Sequence, residues 1–567
     1  MLLTDSPVPR ARRFDPPAGV ASLQRRAALT YLLSVAAVVL ATALVILLLV
    51  KPSTPAIVVA AAVAALAVMA WVWQRPVRGV YLLFFMAVAQ ETTSSSTGYG
   101  DDLGAYVPFF QDISTWTHSK GIPVSIAELF MALVLLTWLL KGIAARNLRV
   151  ERGPLMLPLG LYMLMVLVGE LHGLSSGGDF TLSLWEVRGQ VYMLVAYLLA
   201  CNLVAGRREI GALVWIIVLG AGLKGVQGVI RYFGELGGSL HGAESLFPHE
   251  QSYFYNAFLT LTPILFLFGG SRRLRWAALP LLPFALIADV ANNRRAAVEA
   301  LAIGLVALLA LTAIVYPARR RLAIALAVLL VVAWVPYYNA FKTGSGLIAQ
   351  PARAVYSNSN PDPRDASSNL YRDNENADLK YTMKQNTTTQ AIGYGFGKTF
   401  LTPYPLADIG GIYIFWNLLP HNSILWIWMR MGTVGYLLFW LLIGTAIARG
   451  VRLAYRLDEP YLKGLAVFIV LMILQEVIVG YLDLQWTNYR NLIAVGVLFA
   501  LLGRLACLAP PEEQTLADRY WPWDRRRWIK PAPKLLPLVE ALRTGRRVSE
   551  AERHTAIASG DSIGGQH

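Results

Sequence analysis

Long apolar stretches recur along the whole chain, separated by short charged or polar segments. A helix needs about 20 consecutive apolar residues to cross the ~30 Å hydrocarbon core of a bilayer. About fourteen stretches approach that length, and they predict an all-α polytopic membrane protein with about 14 transmembrane helices. The predicted spans cover residues 27–50, 55–73, 77–90, 123–141, 154–171, 189–205, 210–233, 253–268, 276–288, 296–316, 321–339, 421–448, 461–481 and 488–505.

The composition agrees with this prediction and excludes an ordinary soluble protein. Of the 567 residues, 56% are hydrophobic and only 15% are charged, and the mean hydropathy is +0.49. A net charge of +15 would suggest nucleic acid for a soluble domain, but here the basic residues form short clusters between apolar runs. That pattern is typical of loops that face anionic lipid, so we expect a lipid bilayer and no nucleic acid as a partner. The two cysteines, Cys201 and Cys507, suggest neither a disulfide framework nor a thiolate metal site.

The charge of successive loops predicts the orientation of the spans. Alternate loops are basic, as at residues 272–275 and 319–321, and basic loops stay in the cytoplasm. The loops between them carry acids, for example Asp101, Asp179 and Glu186. The first apolar run is too long for a cleaved signal sequence. With an even number of spans, we expect both termini in the cytoplasm.

These features divide the chain into four predicted parts. The N-terminal transmembrane helices cover residues 1–250, and a central part covers 251–448 with a long extracytoplasmic loop over 340–420. Further transmembrane helices cover 449–505, and a cytoplasmic tail covers 506–567. The tail combines arginines with tryptophans, and its simpler interpretation is an interfacial segment that fixes the topology.

The loop over 340–420 is too long for a bare connector. Residues 367–369 resemble a helix start, which predicts a polar helix to about Asn386 with Arg372 in its first turn. Residues 362–365, just before it, are typical of a solvated turn. A Gly-x-Gly-x-Gly sequence over 393–397 follows, ending next to Lys398 as a candidate supporting cation. Its spacing fits neither a dinucleotide fingerprint nor a P-loop, so we expect a turn that lies over the site.

Arginines on the predicted outer side oppose the positive-inside rule and therefore suggest an anion-binding function. Arg294 and Arg295 occupy a short outer loop, and Arg372 lies in the long one. A guanidinium group matches phosphate oxygens two at a time. Glu299 lies one helical turn after Arg295 and is placed to orient it. The alternative is that the arginines pair with Asp289 or Glu299 at the membrane surface and bind no ligand.

A histidine marks the point where the long loop ends and an apolar helix is predicted to begin. His421 precedes Asn422 and Ser423, which are typical helix caps. The positive end of a helix disfavours imidazolium, so we expect a neutral His421 that can accept a proton at the membrane surface. The alternative is that His421 only caps the loop. A second predicted outer histidine, His249, is a candidate donor-site residue, although an ordinary surface histidine is the simpler interpretation.

The order of these pieces over residues 250–445 resembles that of the O-antigen ligase and O-antigen polymerase superfamily. The matching segments are Arg294-Arg295-Ala296-Ala297, Arg372 at a helix start, the Gly-x-Gly-x-Gly turn, His421-Asn422-Ser423-x-Leu425 and Arg430-Met431-Gly432-Thr433-Val434-Gly435. The resemblance implies a metal-independent glycosyltransferase of the C-type membrane class in a bacterial inner membrane. Such an enzyme uses a glycan on undecaprenyl pyrophosphate as donor and needs no cofactor.

Carried over to this chain, the resemblance implies that Arg295 and Arg372 bind the pyrophosphate and that His421 acts at the acceptor hydroxyl. Arg294 stands where the family usually has a small polar residue, so which of the two neighbouring arginines is functional stays open. The chemistry agrees, because transfer requires stabilisation of the departing pyrophosphate and removal of a proton from the acceptor.

Two other functions remain open at this point. A polymerase would join one lipid-linked repeat unit to another and would use the same residues as a ligase. A transporter would use ionisable residues within spans, such as Lys224, Arg231 and Glu476. Transporters usually show internal repeats, and this sequence has no convincing similarity between its halves.

Overall fold

The computed structural model describes residues 54–90, 109–113, 123–146, 148–240, 245–407 and 415–509. The predicted first span over 27–50 and nearly all of the predicted cytoplasmic tail, from residue 510 on, lie outside these ranges, as does Asp101. All named secondary-structure elements of the described part are helical. They are α1 (Thr54–Gln74), α2 (Val77–Ala89), α3 (Ile126–Ala144), α4 (Met156–Ser175), α5 (Phe180–Leu203), α6 (Arg207–Ile230), α7 (Gln251–Leu267), α8 (Arg272–Ala291), α9 (Arg295–Val315), α10 (Arg320–Phe341), α11 (Gln350–Tyr356), α12 (Pro363–Met383), α13 (Thr387–Ile392), α14 (Ser423–Arg456), α15 (Pro460–Gly480) and α16 (Tyr489–Ala506).

Nine helices of the described part are long and apolar enough to cross a membrane. They are α3, α4, α6, α8, α9, α10, α14, α15 and α16. This confirms the prediction of an all-helical polytopic membrane protein. The total of about fourteen spans stays a prediction, although α1, α2, α5 and α7 coincide with further predicted spans.

Helix α5 begins at Phe180, well before the predicted start at residue 189. The side chain of Asp179 caps it by accepting a hydrogen bond of 2.9 Å from the backbone N–H of Leu182. The prediction that Glu186 lies in an outer loop is therefore wrong, because it is buried within α5. Hydropathy alone placed the start of the span too late because this first half of α5 carries charged residues whose partners lie in other parts of the chain.

The loop between α10 and α14 contains the three helices α11, α12 and α13, and residues 342–422 are called the long loop below. Helix α12 begins at Pro363, where Asp362 accepts a hydrogen bond of 2.8 Å from the backbone of Asp365. Residues 362–365 thus start a helix and are not the predicted solvated turn. Proline suits the first position of a helix because its φ is already helical. Arg372 consequently lies in the middle of α12 and not in its first turn.

Helices α15 and α16 form the centre of the bundle, since most of their residues are buried. Small residues permit close packing: a Cβ atom on Gly496 of α16 would collide with the carbonyl of Met193 on α5. Such close approach stabilises helix pairs where lipid provides no hydrophobic driving force. Helix α10 lies at the periphery and has few buried residues.

Helix α14 is interrupted at Gly432, whose φ of 65° and ψ of −172° are not helical. The Gly-x-Gly-x-Gly turn docks beside this break. Gly393, Gly395 and Gly397 have φ values of 95°, 84° and 77°, which residues other than glycine rarely adopt. A Cβ atom on Gly395 would collide with the backbone of Gly173 in α4. The turn is therefore wedged between α4, α5 and α14.

Candidate functional site

A cavity of about 460 Å³ lies at the end of the bundle where α9 begins and α15 ends. Its walls come from the start of α9, from α11 and α12 of the long loop, and from the residues after α15. Charged side chains dominate the lining: Arg294, Arg295, Arg353, Arg364, Arg372, Glu299, Asp362, Asp365 and Asp483. The structure thus brings the three predicted arginines and Glu299 to one place.

Arg294 belongs to a hydrogen-bonded chain on one wall of the cavity. Its Nη2 lies 2.9 Å from Ser245 Oγ and 3.0 Å from His249 Nε2. Because a guanidinium group has only donors, Nε2 of His249 accepts, and the ring donates from Nδ1 to Asp483 Oδ2 at 2.8 Å. Burial would raise the pKa of Asp483, but the attraction and hydrogen bond of His249, together with Arg294 and Arg372, hold that pKa far below its usual range. His249 therefore lies behind the cavity lining and orients an arginine that belongs to it.

Arg295 connects α9 to the long loop. Its Nη1 donates to Ser357 Oγ at 3.2 Å and its Nη2 donates to Asn369 Oδ1 at 3.0 Å. Asp365 provides an ion-pair partner, with its Oδ2 3.5 Å from Nη1. Glu299, which the sequence placed to orient Arg295, accepts instead a hydrogen bond of 2.6 Å from Asn358.

Arg372 keeps a donor available. Its Nε is buried and has no hydrogen-bond partner among the described residues. The side chain is close enough to Asp483 to lower the pKa of that carboxyl group. Arg294 and Arg372 therefore share one carboxylate, and Arg372 retains a buried N–H for a ligand.

His421 forms a pair with Glu375 of α12. The backbone N–H of His421 donates to Glu375 Oε2 at 2.9 Å, and Nδ1 lies 3.2 Å from Oε1. Since a carboxylate accepts, Nδ1 carries the proton and Nε2 is the ring nitrogen that can take another. The Glu375 side chain is 1% exposed and the His421 side chain 23% exposed. A buried carboxylate therefore orients a histidine that a substrate can reach.

The residues after His421 confirm one predicted cap. Asn422 Oδ1 accepts a hydrogen bond of 3.0 Å from the backbone of Leu425, at the start of α14. Ser423 has another function, because its Oγ donates to the carbonyl oxygens of Gly480 at 2.9 Å and Asp483 at 3.1 Å. The start of α14 is thus attached to the cavity wall that carries Asp483.

Helix α12 connects the arginine cavity to His421, because its Arg372 lines the cavity and its Glu375, which is outside that lining, contacts His421. Arg372 and Glu375 are three residues apart and so share a face of the helix. The ring of Tyr371 contacts the ring of His421 edge-on, with centroids 5.7 Å apart. Glu375, which orients the proton-accepting histidine, therefore lies about 4.5 Å from Arg372 along the helix axis.

Sequence reasoning missed Glu375 and Tyr371. The phenol oxygen of Tyr371 is buried with no hydrogen-bond partner in the described ranges. Burial, and then Glu375 and Asp378, raise the pKa of Tyr371 to about 12, so the phenol stays a neutral donor. Their spacing from Arg372 could have identified them, because both lie within one turn of that arginine on the predicted polar helix.

The glycine turn and Lys398 belong to a different region. Lys398 Nζ donates to Ser176 Oγ at 2.7 Å and lies 4.0 Å from the centre of the Tyr394 ring. Neither it nor the turn lines the cavity. The prediction that the turn lies over the site is wrong, because its glycines fit closely against helix backbones instead.

Arg430 of α14 fixes that docking. Its side chain is 0% exposed, with Nη1 donating to the carbonyl of Gly395 at 2.9 Å and Nη2 to the carbonyl of Leu418 at 3.1 Å. Its Nε donates to Glu186 Oε1. Glu186 also accepts hydrogen bonds from Trp426 at 2.9 Å and from the backbone of Gly397 at 2.7 Å. We call Arg430, Glu186 and the glycine turn the docking cluster.

Within the described ranges, no three His, Cys, Asp or Glu side chains are grouped so that they could hold a metal ion. Compared with models of known protein families, the chain matches none, and no curated protein matches it. The resemblance to O-antigen ligases therefore stays a prediction, and the functional argument depends on the cavity and on the histidine pair.

Proposed function

We propose that this protein is a membrane glycosyltransferase that transfers a glycan from undecaprenyl pyrophosphate to an acceptor hydroxyl at the extracytoplasmic face of a bacterial inner membrane. The observation that carries the proposal is an arginine-lined cavity whose helix α12 also presents the Glu375 and His421 pair. Transfer of this kind needs an anion site and a proton acceptor side by side, and it needs both at the end of the membrane helices where a lipid-linked donor arrives.

In the proposed reaction, the acceptor hydroxyl oxygen forms a bond to the anomeric carbon of the glycan. The bond from that carbon to the pyrophosphate oxygen breaks, and the electron pair leaves with the pyrophosphate. His421 takes the hydroxyl proton on Nε2, and the carboxylate of Glu375 stabilises the imidazolium that forms. This keeps the ring oriented throughout the step because Glu375 also accepts from the backbone of His421.

We assign the departing pyrophosphate to Arg294 and Arg372. Both act on Asp483, which is attached to the start of α14 beside His421. Two guanidinium groups that share one carboxylate retain positive charge for a second anion. Arg295 already donates to Ser357 and Asn369 and pairs with Asp365. Its proposed function is therefore to hold α11 and α12 against α9.

The direct test is product analysis with purified full-length protein in detergent. Supplied with an undecaprenyl-pyrophosphate oligosaccharide and an acceptor, the wild type should release undecaprenyl pyrophosphate, and His421→Ala should not. Supplying the lipid-linked oligosaccharide alone distinguishes the two enzyme types: chain growth indicates a polymerase, and dependence on a second acceptor indicates a ligase. Uptake of intact substrate into sealed vesicles without release would contradict both and favour transport.

The orientation needs its own test. Cys507 is exposed and would give background labelling, so it is first replaced by serine. Cysteines are then introduced at Asp373, which is exposed on α12, and at Arg320, which is exposed at the start of α10. A membrane-impermeant thiol reagent applied to spheroplasts should label position 373 and not position 320. The reverse result would put the cavity in the cytoplasm and overturn the proposal.

A further inference from the structure

Two arginines of the cavity have no described partner. Among the residues that the structure describes, the guanidinium groups of Arg353 and Arg364 make no hydrogen bond or ion pair, although both line the cavity. The four carboxylates of the lining are already engaged, each with a hydrogen bond or ion pair to another group: Glu299 with Asn358, Asp362 with the backbone of Asp365, Asp365 with Arg295, and Asp483 with His249. Positive charge in this cavity therefore exceeds what its own acids neutralise.

The position of Arg364 is itself unfavourable without an anion. It lies in the first turn of α12, where the helix dipole favours negative side chains and disfavours positive ones. Arg353 lies on α11, whose C-cap Ser357 is bonded to the same Arg295 that contacts α12. Arg295 thus holds together the two helices that present these two arginines. Arg294 and Asp483, in contrast, come from the start of α9 and from the residues after α15.

The cavity has room for more than a pyrophosphate. Sites for small molecules usually enclose roughly 300–1,000 Å³, and this one encloses about 460 Å³. A pyrophosphate held by Arg294 and Arg372 beside His421 leaves the wall with Arg353 and Arg364 for the sugars attached to it.

We infer that Arg353 and Arg364 form a second anion subsite, which recognises an acidic group, a carboxylate or a phosphate, on the sugars of the transferred glycan. The inference rests on the proposed function for the identity of the substrate. Arg353 is half-buried and Arg364 is exposed, so water can solvate both guanidinium groups in the cavity. An acidic group on the sugars would give them charge-assisted hydrogen bonds that a neutral glycan cannot offer. The protein should therefore select acidic glycans over neutral ones.

The test uses the full-length protein in detergent and the double variant R353Q/R364Q. Lys380→Gln is the matched control, because Lys380 lies exposed on the same helix α12 and does not line the cavity. The binding probes are inorganic pyrophosphate, a glucuronic-acid-containing disaccharide and its neutral glucose counterpart. The wild type and Lys380→Gln should bind the acidic disaccharide at least about tenfold more tightly than the neutral one. R353Q/R364Q should lose this preference and bind pyrophosphate with an affinity within about twofold of the wild type.

Turnover measured with acidic and neutral donors and acceptors shows which of the two substrates must carry the acidic group. An acidic donor with a neutral acceptor should have a lower KM than a neutral donor with the same acceptor, and only the double variant should remove the difference. A preference that follows an acidic acceptor instead would overturn the assignment to the transferred glycan. Two bound equivalents of pyrophosphate in the wild type, with the second lost in R353Q/R364Q, would overturn it as well and would indicate a lipid-linked acceptor.

The results also separate this inference from the proposed function. If the wild type prefers the acidic disaccharide but releases no undecaprenyl pyrophosphate from any donor, the subsite stands and the proposed reaction fails. If it releases undecaprenyl pyrophosphate equally well from acidic and neutral donors, the reaction stands and the subsite fails.

Discussion

The arginine cavity and the docking cluster are built from the same residue types and behave in opposite ways. In the docking cluster, Nε, Nη1 and Nη2 of Arg430 all donate to oxygens of the protein. In the cavity, Arg372 keeps a buried Nε without a described acceptor, and the guanidinium groups of Arg353 and Arg364 have none in the described ranges. A buried arginine whose acceptors come from the chain stabilises a fold, whereas a cavity-lining arginine that lacks acceptors is available for an anion. Substitutions should therefore affect stability in one region and ligand binding or turnover in the other.

The largest effect should come from Arg430→Gln. It leaves Glu186 buried without its charged partner, and breaking a buried pair in this way costs about 3–5 kcal/mol. We expect most of the folded protein to be lost, measured as a lower unfolding temperature in detergent and a lower yield of monodisperse protein. Arg364→Gln, in the cavity, serves as the control and should unfold like the wild type. Equal unfolding temperatures for Arg430→Gln and the wild type would remove the distinction between the two regions.

The second effect concerns turnover without loss of the fold. His421→Ala should slow transfer by about two to four orders of magnitude, the range that a general base contributes, and should leave pyrophosphate affinity nearly unchanged. His249→Ala is the matched control: it should weaken pyrophosphate binding, because His249 orients Arg294. A His421→Ala protein with normal turnover and weak donor binding would assign His421 to the anion site instead.

Glu375→Gln should have a smaller effect on the same step, a loss of up to about two orders of magnitude in turnover. An amide can present its N–H₂ to Nδ1 and so allow the wrong tautomer of His421. Because the two residues act as a unit, the double variant with His421→Ala should be no slower than His421→Ala alone. Additive losses would mean that Glu375 acts independently of the histidine.

Lysine substitutions should then show how much each arginine contributes to pyrophosphate binding. Arg372→Lys and Arg294→Lys each lose a forked, charge-assisted contact worth roughly 1.5–3 kcal/mol, so pyrophosphate affinity should fall about 10- to 150-fold. Arg295→Lys should leave that affinity largely intact and should instead loosen α11 and α12, which is measurable as faster amide hydrogen exchange in the long loop. A drop in pyrophosphate affinity for Arg295→Lys alone would favour the residue that the family resemblance implies.

The smallest effect is expected for Tyr371→Phe. We expect its phenol, which has no hydrogen-bond partner in the described ranges, to donate to the substrate. Loss of one such neutral hydrogen bond is worth about 0.5–1.5 kcal/mol, so turnover should fall by roughly two- to tenfold. The pKa of Tyr371 is raised to about 12, so the phenol is protonated at every usual assay pH. The ratio of wild-type to Tyr371→Phe turnover should therefore be constant between about pH 6 and 9. A ratio that rises steeply with pH would indicate that the phenol titrates in the site.

Much of the fold can be predicted from the sequence because a long apolar stretch identifies a membrane span. The predicted spans 253–268 and 461–481 differ from α7 and α15 by only one or two residues at each end. The prediction failed where charge is buried inside a span. Glu186 interrupts the apolar run of α5, and its partners Arg430, Trp426 and Gly397, far away in the sequence, make that position acceptable.

The candidate site was predictable in its parts but not in its assembly. Arg294, Arg372 and His421 were identified from their positions at helix and loop boundaries, and the structure brings them to one end of the bundle. Glu375 was missed because an acid on a polar helix has no distinguishing local pattern. Its function depends on how α12 is rotated against the start of α14, which is a tertiary contact that periodicity does not specify.

The docked glycine turn also determines which part of the long loop can be exchanged between proteins. All the described residues that the loop contributes to the cavity lie over 350–372, before the turn. The glycines at 393, 395 and 397 fix the remainder of the loop against the bundle. A chimaera that replaces residues 350–370 and joins the native chain before Tyr371 would therefore receive a new sugar-facing wall while retaining Arg372 and its own proton acceptor. Recombination within a single helix, α12, is enough to change which glycan is selected without rebuilding the bundle.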